Sequence, residues 1–128
     1  VTSMAFDNSV QSVSLPAAAD LSGSQFKCIT VNSSGQAAVA GATSLVVGVL
    51  QNKPAAAGRD ATVAYAGVSK AVAGGSITAG ARVTADANGA VIAAASAGDA
   101  VLGVALSGAA SGDIIPVLIN PFPFAALA

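Results

Sequence analysis

At 128 residues with a net charge of −1, the chain suits one domain and carries no excess of cationic groups for a polyanion. Its five basic residues, Lys27, Lys53, Arg59, Lys70 and Arg82, are scattered singly, which excludes the basic stripe of a nucleic-acid interface. With no histidine and one cysteine, neither a disulfide framework nor a zinc spacing can be written, and no cofactor or metal site is expected.

Apolar residues make up 54% of the chain but aromatics only 4%, because alanine supplies much of the apolar count. Alanine buries little area, so the core is expected to be thin and its stability to draw on contacts between chains. Charged residues are 9%, against about 25% in an average domain, as suits a protein packed against something for most of its life. No apolar run is long enough to span a membrane, since the stretch from Gln36 to Leu50 is broken by Gly41, Thr43, Ser44 and Gly48. No basic stretch precedes an apolar run at the N-terminus, so no secretory signal is expected. The start at Val1 suggests a removed initiator methionine.

In chain order, residues 1–19 read as an N-terminal arm of small and polar residues interrupted by Pro16, with imperfect alternation from Val10 to Leu15 that would suit one edge strand. Asp20 to Gly23 is a turn. Gln25 to Val31 is the first strand, with Phe26, Cys28 and Thr30 on one face and Lys27, Ile29 and Val31 on the other. Cys28 in that setting is a small buried hydrophobe rather than a reactive thiol. Asn32-Ser33-Ser34-Gly35 has hairpin-turn chemistry, Gly35 taking the positive φ, and Gln36 to Ala40 returns. Leu45 to Leu50 is a continuous apolar run, expected to be a strand covered on both faces. Gln51 to Arg59 is a loop, and Asp60 to Ala66 a strand with Val63 and Tyr65 on one face. Gly67 to Ala73 alternates again until Gly74-Gly75 breaks it, and Ser76 to Gly80 is a bend. Ala81 to Ala85, the turn Asp86 to Gly89, and Ala90 to Ala94 form a second hairpin. Ala95 to Asp99 is a loop, Ala100 to Leu106 a second buried run, Ser107 to Gly112 a loop, and Asp113 to Ile119 the last strand. Pro116 cannot donate to a ladder, which places that strand at an edge or a bulge. Glycines and turn signals at short spacing outweigh the helix preference of the alanine runs, leaving at most one helical turn. Residues 121–128, Pro-Phe-Pro-Phe-Ala-Ala-Leu-Ala, form an apolar tail that neither helix nor central strand accommodates.

Phrases recur at a fixed distance. Thr30-Val31-Asn32-Ser33-Ser34-Gly35 returns as Thr84-Ala85-Asp86-Ala87-Asn88-Gly89 at an offset of 54, Val47-Gly48-Val49 as Leu102-Gly103-Val104 at 55, and Asp60 as Asp113 at 53. A repeat of that length is a duplicated supersecondary unit, and two copies suggest one barrel or sandwich with internal pseudo-two-fold symmetry. The fold expected is all-β: a single small β-barrel or sandwich over residues 20–120, between the arm and the tail, with halves at about Gln25 to Ala66 and Ala81 to Asn120.

No residue set invites catalysis. Without His or Glu, the acid–base groups reduce to Asp, Lys, Tyr65 and Cys28, and the aspartates lie in or beside turns, where they cap the backbone. A cation between Asp60 and Asp113 lacks the clustered oxygen ligands of a calcium loop. Gly74-Gly75 and Gly108 lack the lysine and spacing of a phosphate loop. Lys70, between two similar halves, is similar to the modified lysine of lipoyl and biotinyl carrier domains, but those present it at a hairpin tip, whereas Lys70 falls within a strand. A carrier or small-ligand β-barrel is therefore the alternative reading, and a self-assembling cell-surface module is a third. The tail is the binding candidate. Pro121, Phe122, Pro123, Phe124 and Leu127 form a stiff apolar segment suited to docking on a neighbour, or to plugging its own barrel.

The ordered set of phrases resembles the small capsid cement (head decoration) proteins of tailed bacteriophages. It runs from Ala19-Asp20-Leu21-Ser22-Gly23 and the Phe26 strand through Val47 to Pro54, Gly58 to Val63, Gly67 to Lys70 and Ala79 to Asp86 with Asn88-Gly89. It ends at Val101 to Ala105 and Gly112-Asp113 with Ile114 to Ile119. The resemblance implies a β-barrel or sandwich clipped to the outside of an icosahedral head, without enzymatic activity. The partners it implies are the major capsid protein and further copies of itself, a trimer being favoured over a dimer by analogy. It also implies synthesis in the host cytoplasm and residence on the virion exterior, with no nucleic acid and no membrane as partner. The arm and the tail lie outside the resemblance.

Overall fold

The computed structural model describes residues 10–42, 44–94 and 100–119. They form an all-β fold of nine strands: β1 Val10–Pro16, β2 Cys28–Val31, β3 Ala37–Val39, β4 Gly48–Leu50, β5 Asp60–Val72, β6 Arg82–Ala85, β7 Val91–Ala93, β8 Gly103–Ala105 and β9 Ile114–Ile119. There is no helix among the described residues. The ladder order is β3-β2-β4-β5-β9-β8-β6-β7, antiparallel throughout, with β1 added along β5.

The duplication is visible pair by pair. In the first unit Ile29 faces Val39 and Gly48; in the second Val83 faces Ala93 and Gly103. The two hairpin turns make the same bonds. Asn32 N–H donates to Gln36 O and Gly35 N–H to Asn32 O, while Asn32 Oδ1 accepts from Ser34 and Gln36. Asp86 N–H donates to Ala90 O and Gly89 N–H to Asp86 O, while Asp86 Oδ1 accepts from Asn88 and Ala90. Gly35 and Gly89 take φ of 75° and 81°, the left-handed region that a side chain disfavours.

The repeat begins earlier than the halves expected from sequence. Ala17 bridges Ala37 in parallel as Ala73 bridges Val91, and Gly58 N–H donates to Ala17 O as Gly112 N–H does to Ala73 O. The counterpart of β1 is thus the second half of β5. Each unit is a curl of five strands, and the two share the long strand that sequence divides at Gly67. Gly67 continues the strand with φ of 101° instead of ending it. The offset of the last strand is also corrected. Ala17 N–H bonds Arg59 O where Ala73 N–H bonds Asp113 O, so Asp113 matches Arg59 and Asp60 matches Ile114.

A bulge lets one strand serve both units. Gln11 pairs with Ala66 and Ser12 with Ala64, which leaves Tyr65 as the extra residue. Before it, Ala61 and Val63 pack with Leu21, Ile29 and Leu50 in a small first-unit core. Ala64 and, beyond the bulge, Ala71 and Ala73 belong to the larger core, with Cys28, Val49, Val83, Leu102, Ile115 and Val117. Tyr65 is consequently 39% exposed and does not share a buried face with Val63.

Three further expectations change. Phe26 has φ of 66°, so β2 starts at Cys28 and not at Gln25. The first apolar run narrows to Gly48–Leu50, fully buried, with Leu45 exposed. Pro116 lies in an interior strand, since β9 is flanked by both β5 and β8. Its carbonyl accepts from Leu106 N–H just past the end of β8, so its nitrogen faces the side where that partner strand has run out. An edge is therefore unnecessary.

Candidate functional site

The groups with any chemical potential are dispersed. Cys28 is fully buried, and desolvation first, with the charge of Asp86 second, pushes its thiol from 9.0 up to about 12. It is a packing residue, not a nucleophile. Asp20 Oδ1 accepts from Ser22 N–H at 2.9 Å, and bonds from Ser22 hold its carboxyl below the ordinary value. Asp86 caps its turn, and Asp113 Oδ2 accepts from Ala110 N–H at 2.9 Å. Among the described residues no group of three or more His, Cys, Asp or Glu is placed to hold a metal ion.

Lys70 lies in the last part of β5, paired with Pro116, and its ammonium sits 5.7 Å from the centre of the Phe26 ring. The left-handed backbone at Phe26 turns that ring toward β5, and Val72 N–H donates to the Phe26 carbonyl at 3.0 Å. A groove of about 490 Å³ opens beside Lys70, between β5, β9, the start of β1 and Phe26. Ser69 lies on its floor, 3% exposed, with Oγ donating to Lys70 O and accepting from Gln51 Nε2 at 2.8 Å. One cation, one amide and apolar walls can hold a group in place, but they include no acid–base pair to transform it. Lys70 is on a strand rather than at a hairpin tip, which is not how a carrier domain presents its lysine.

The larger feature is an apolar sheet face. In β9 burial alternates strictly, with Ile115, Val117 and Ile119 inside and Ile114, Pro116 and Leu118 outside. The outward row continues across the ladder, Val68 beside Leu118, Leu118 beside Val104, and Val104 beside Arg82. Ile114 is 54% exposed, Leu118 46% and Leu106 47%. Contiguous exposed apolar side chains of this kind mark an interaction surface. The alternation in β9 is legible in sequence. The row is not, because it exists only once β5, β9, β8 and β6 are in register. The tail residues Pro121, Phe122, Pro123, Phe124 and Leu127 lie outside the described residues, as do residues 1–9 of the arm and the loop 95–99.

No curated protein matches the chain. Among solved structures, the crystal structure of the N base of head fiber gp8.5 of bacteriophage phi29 is similar. Its TM-score is 0.63 at 16% identity, over 88% of this chain and 96% of that one, so the likeness is one of fold. The family model described as phage cement protein matches residues 11–119, from the second residue of β1 to the end of β9. The chain is a structural, virion-associated protein, and it belongs to the phage cement protein family.

Proposed function

We propose that this chain decorates the outer surface of a tailed-phage icosahedral head and stabilises it by binding the major capsid protein. The observation that carries the reading is the family match from residue 11 to residue 119, which takes in every strand. The exposed apolar face and the low charge support it, since both suit a lattice component. The protein performs no chemistry. It is made in the host cytoplasm and acts on the capsid exterior as a homo-oligomer, a trimer before a dimer.

The tail is the anchor to a neighbouring decoration subunit or to the capsid protein. Pro121 and Pro123 narrow φ, so less conformational freedom is lost on docking. Phe122 and Phe124 each contribute roughly 1.5–3 kcal/mol from buried area. Repetition over a lattice multiplies a weak anchor by avidity. The test is binding to undecorated heads. Phe122→Ala with Phe124→Ala is expected to weaken binding while leaving the thermal melt unchanged. A lowered melt with unchanged head binding would show that the tail plugs its own barrel.

A further inference from the structure

The two units have the same backbone but not the same cover. In the first unit the cross-strand row Cys28, Val49, Ala64 is completely buried. Its counterpart in the second unit, Arg82, Val104, Leu118, is open, with Arg82 exposed and Leu118 46% exposed. The first row is buried in the core it shares with Val83, Leu102 and Val117 of the second unit, and that unit's hairpin turn docks at the Cys28 end of it. Cys28 N–H donates to Gly89 O at 2.7 Å, and a Cβ on Gly89 would meet Val39 at 2.5 Å and the Cys28 carbonyl at 3.3 Å. The matching turn of the first unit, Asn32 to Gly35, has the same bonds and the same left-handed glycine, yet a Cβ on Gly35 would meet nothing within 4 Å. One chain therefore carries a turn docked at the end of a buried row, plus an undocked turn and an open row of the same construction.

We propose that copies of this chain associate head to tail, the Asn32–Gly35 turn of one copy docking at the Arg82 end of the Arg82–Val104–Leu118 row of the next, as Asp86–Gly89 docks at Cys28 within the chain. The proposal rests on the homo-oligomer reading above and specifies its interface. Arg82 stands where Cys28 stands in the internal junction. It offers a guanidinium for the carbonyls of the incoming turn, so the contact between copies is more polar than the contact within one. Such an interface joins two different patches, so it closes into a ring where the rotation allows and otherwise propagates.

The internal junction supplies the test positions. Ser34 matches Asn88, beside Gly89, and Ala93 matches Val39, which Gly89 touches. Both Ser34 and Ala93 are exposed, so cysteine at either leaves the core intact, and buried Cys28 does not compete. Ser34→Cys and Ala93→Cys chains that differ by a size tag are co-expressed, purified and oxidised. The expected result is a mixed disulfide dimer, about tenfold above the yield from either variant alone, because docking raises the effective concentration of the thiol pair. Leu118→Asp in the second chain should abolish it while the melt stays normal. Native mass separates the two levels of failure. A strict monomer at every concentration overturns the oligomer and this interface together. An oligomer that gives no mixed disulfide, or gives Ser34→Cys pairs instead, overturns this interface alone and assigns the open row to the capsid protein or the tail.

Discussion

Gly103→Ala is expected to cost the fold about 2–5 kcal/mol, far more than one methyl group suggests. The cost does not come from φ, which is not in the left-handed region at this position. It comes from β9, because a Cβ on Gly103 would overlap the Leu118 carbonyl and approach the Ile119 Cα at 3.0 Å. Those are backbone atoms and cannot swing away as a side chain would. β8 must back off β9, which loosens the pairs Gly103–Ile119, Val104–Leu118 and Ala105–Val117. Overpacking of this kind costs about 1–3 kcal/mol, and one or two weakened ladder bonds add about 1 kcal/mol each. Gly48→Ala should behave alike, because its Cβ would overlap the Ala64 carbonyl at the equivalent place in the first unit. Gly23→Ala is the control: nothing lies within 4 Å of its Cβ, so a change of about 0.5 kcal/mol or a slight gain is expected. Urea unfolding measures all three, with the m-value checked for two-state behaviour. If Gly103→Ala unfolds at the wild-type urea midpoint with an unchanged m-value, the close approach of β8 to β9 is wrong.

Cys28 should resist a maleimide in the folded protein at pH 8 and react on unfolding, the native rate being roughly a thousandfold lower from a pKa near 12 against 9.0. Its raised pKa favours the folded state below pH 9, and that contribution is lost by up to about 1.4 kcal/mol per pH unit as pH rises from 9 toward 12. Chemical denaturation across that range should show the fall, and Cys28→Ala should flatten it. Asn32→Ala removes the acceptor of the Ser34 and Gln36 N–H groups and is expected to cost about 1–2 kcal/mol in the same assay. Asp86→Asn should be close to neutral, since Asn32 already performs the same capping in the first unit; a loss as large as that of Asn32→Ala would contradict the equivalence of the turns.

The turns were legible because their chemistry is local. Asn or Asp followed three residues later by Gly specifies a hairpin whatever surrounds it, and both hairpins are where that phrase stands. Val-Gly-Val and Leu-Gly-Val were legible as repeats, but their reason was not, because it is the carbonyl of a distant strand. Where local signals had to compete with tertiary ones they misled. Gly67 suggests a break, yet β5 runs through it with pairs on either side. Pro116 suggests an edge, yet the missing donor falls just beyond the end of β8. Phe26 belongs by pattern to a strand, yet its left-handed backbone sets the ring beside Lys70. The open row Arg82, Val104, Leu118 draws one residue from each of three strands, so no window of sequence contains it.

The choice of residues in the two rows bears on what the molecule is built to do. Cys28 and Ala64 are small, and the second unit's core packs against that row until it is excluded from water. Leu118, the counterpart of Ala64, is larger and apolar, and nearly half of it meets solvent in the chain alone. A free monomer gains nothing from that exchange: a polar side chain on an outward strand position leaves the buried face unchanged and keeps the edge-to-face surface soluble. An exposed leucine next to Val68 and Val104 becomes favourable only when something removes the row from water, at roughly 25 cal/mol for each Å² covered. The duplicated backbone thus carries two different surfaces, one completed within the chain and one left open to a partner. Its thin, alanine-rich core is consistent with that division, because covering the open row would supply burial that the core alone does not.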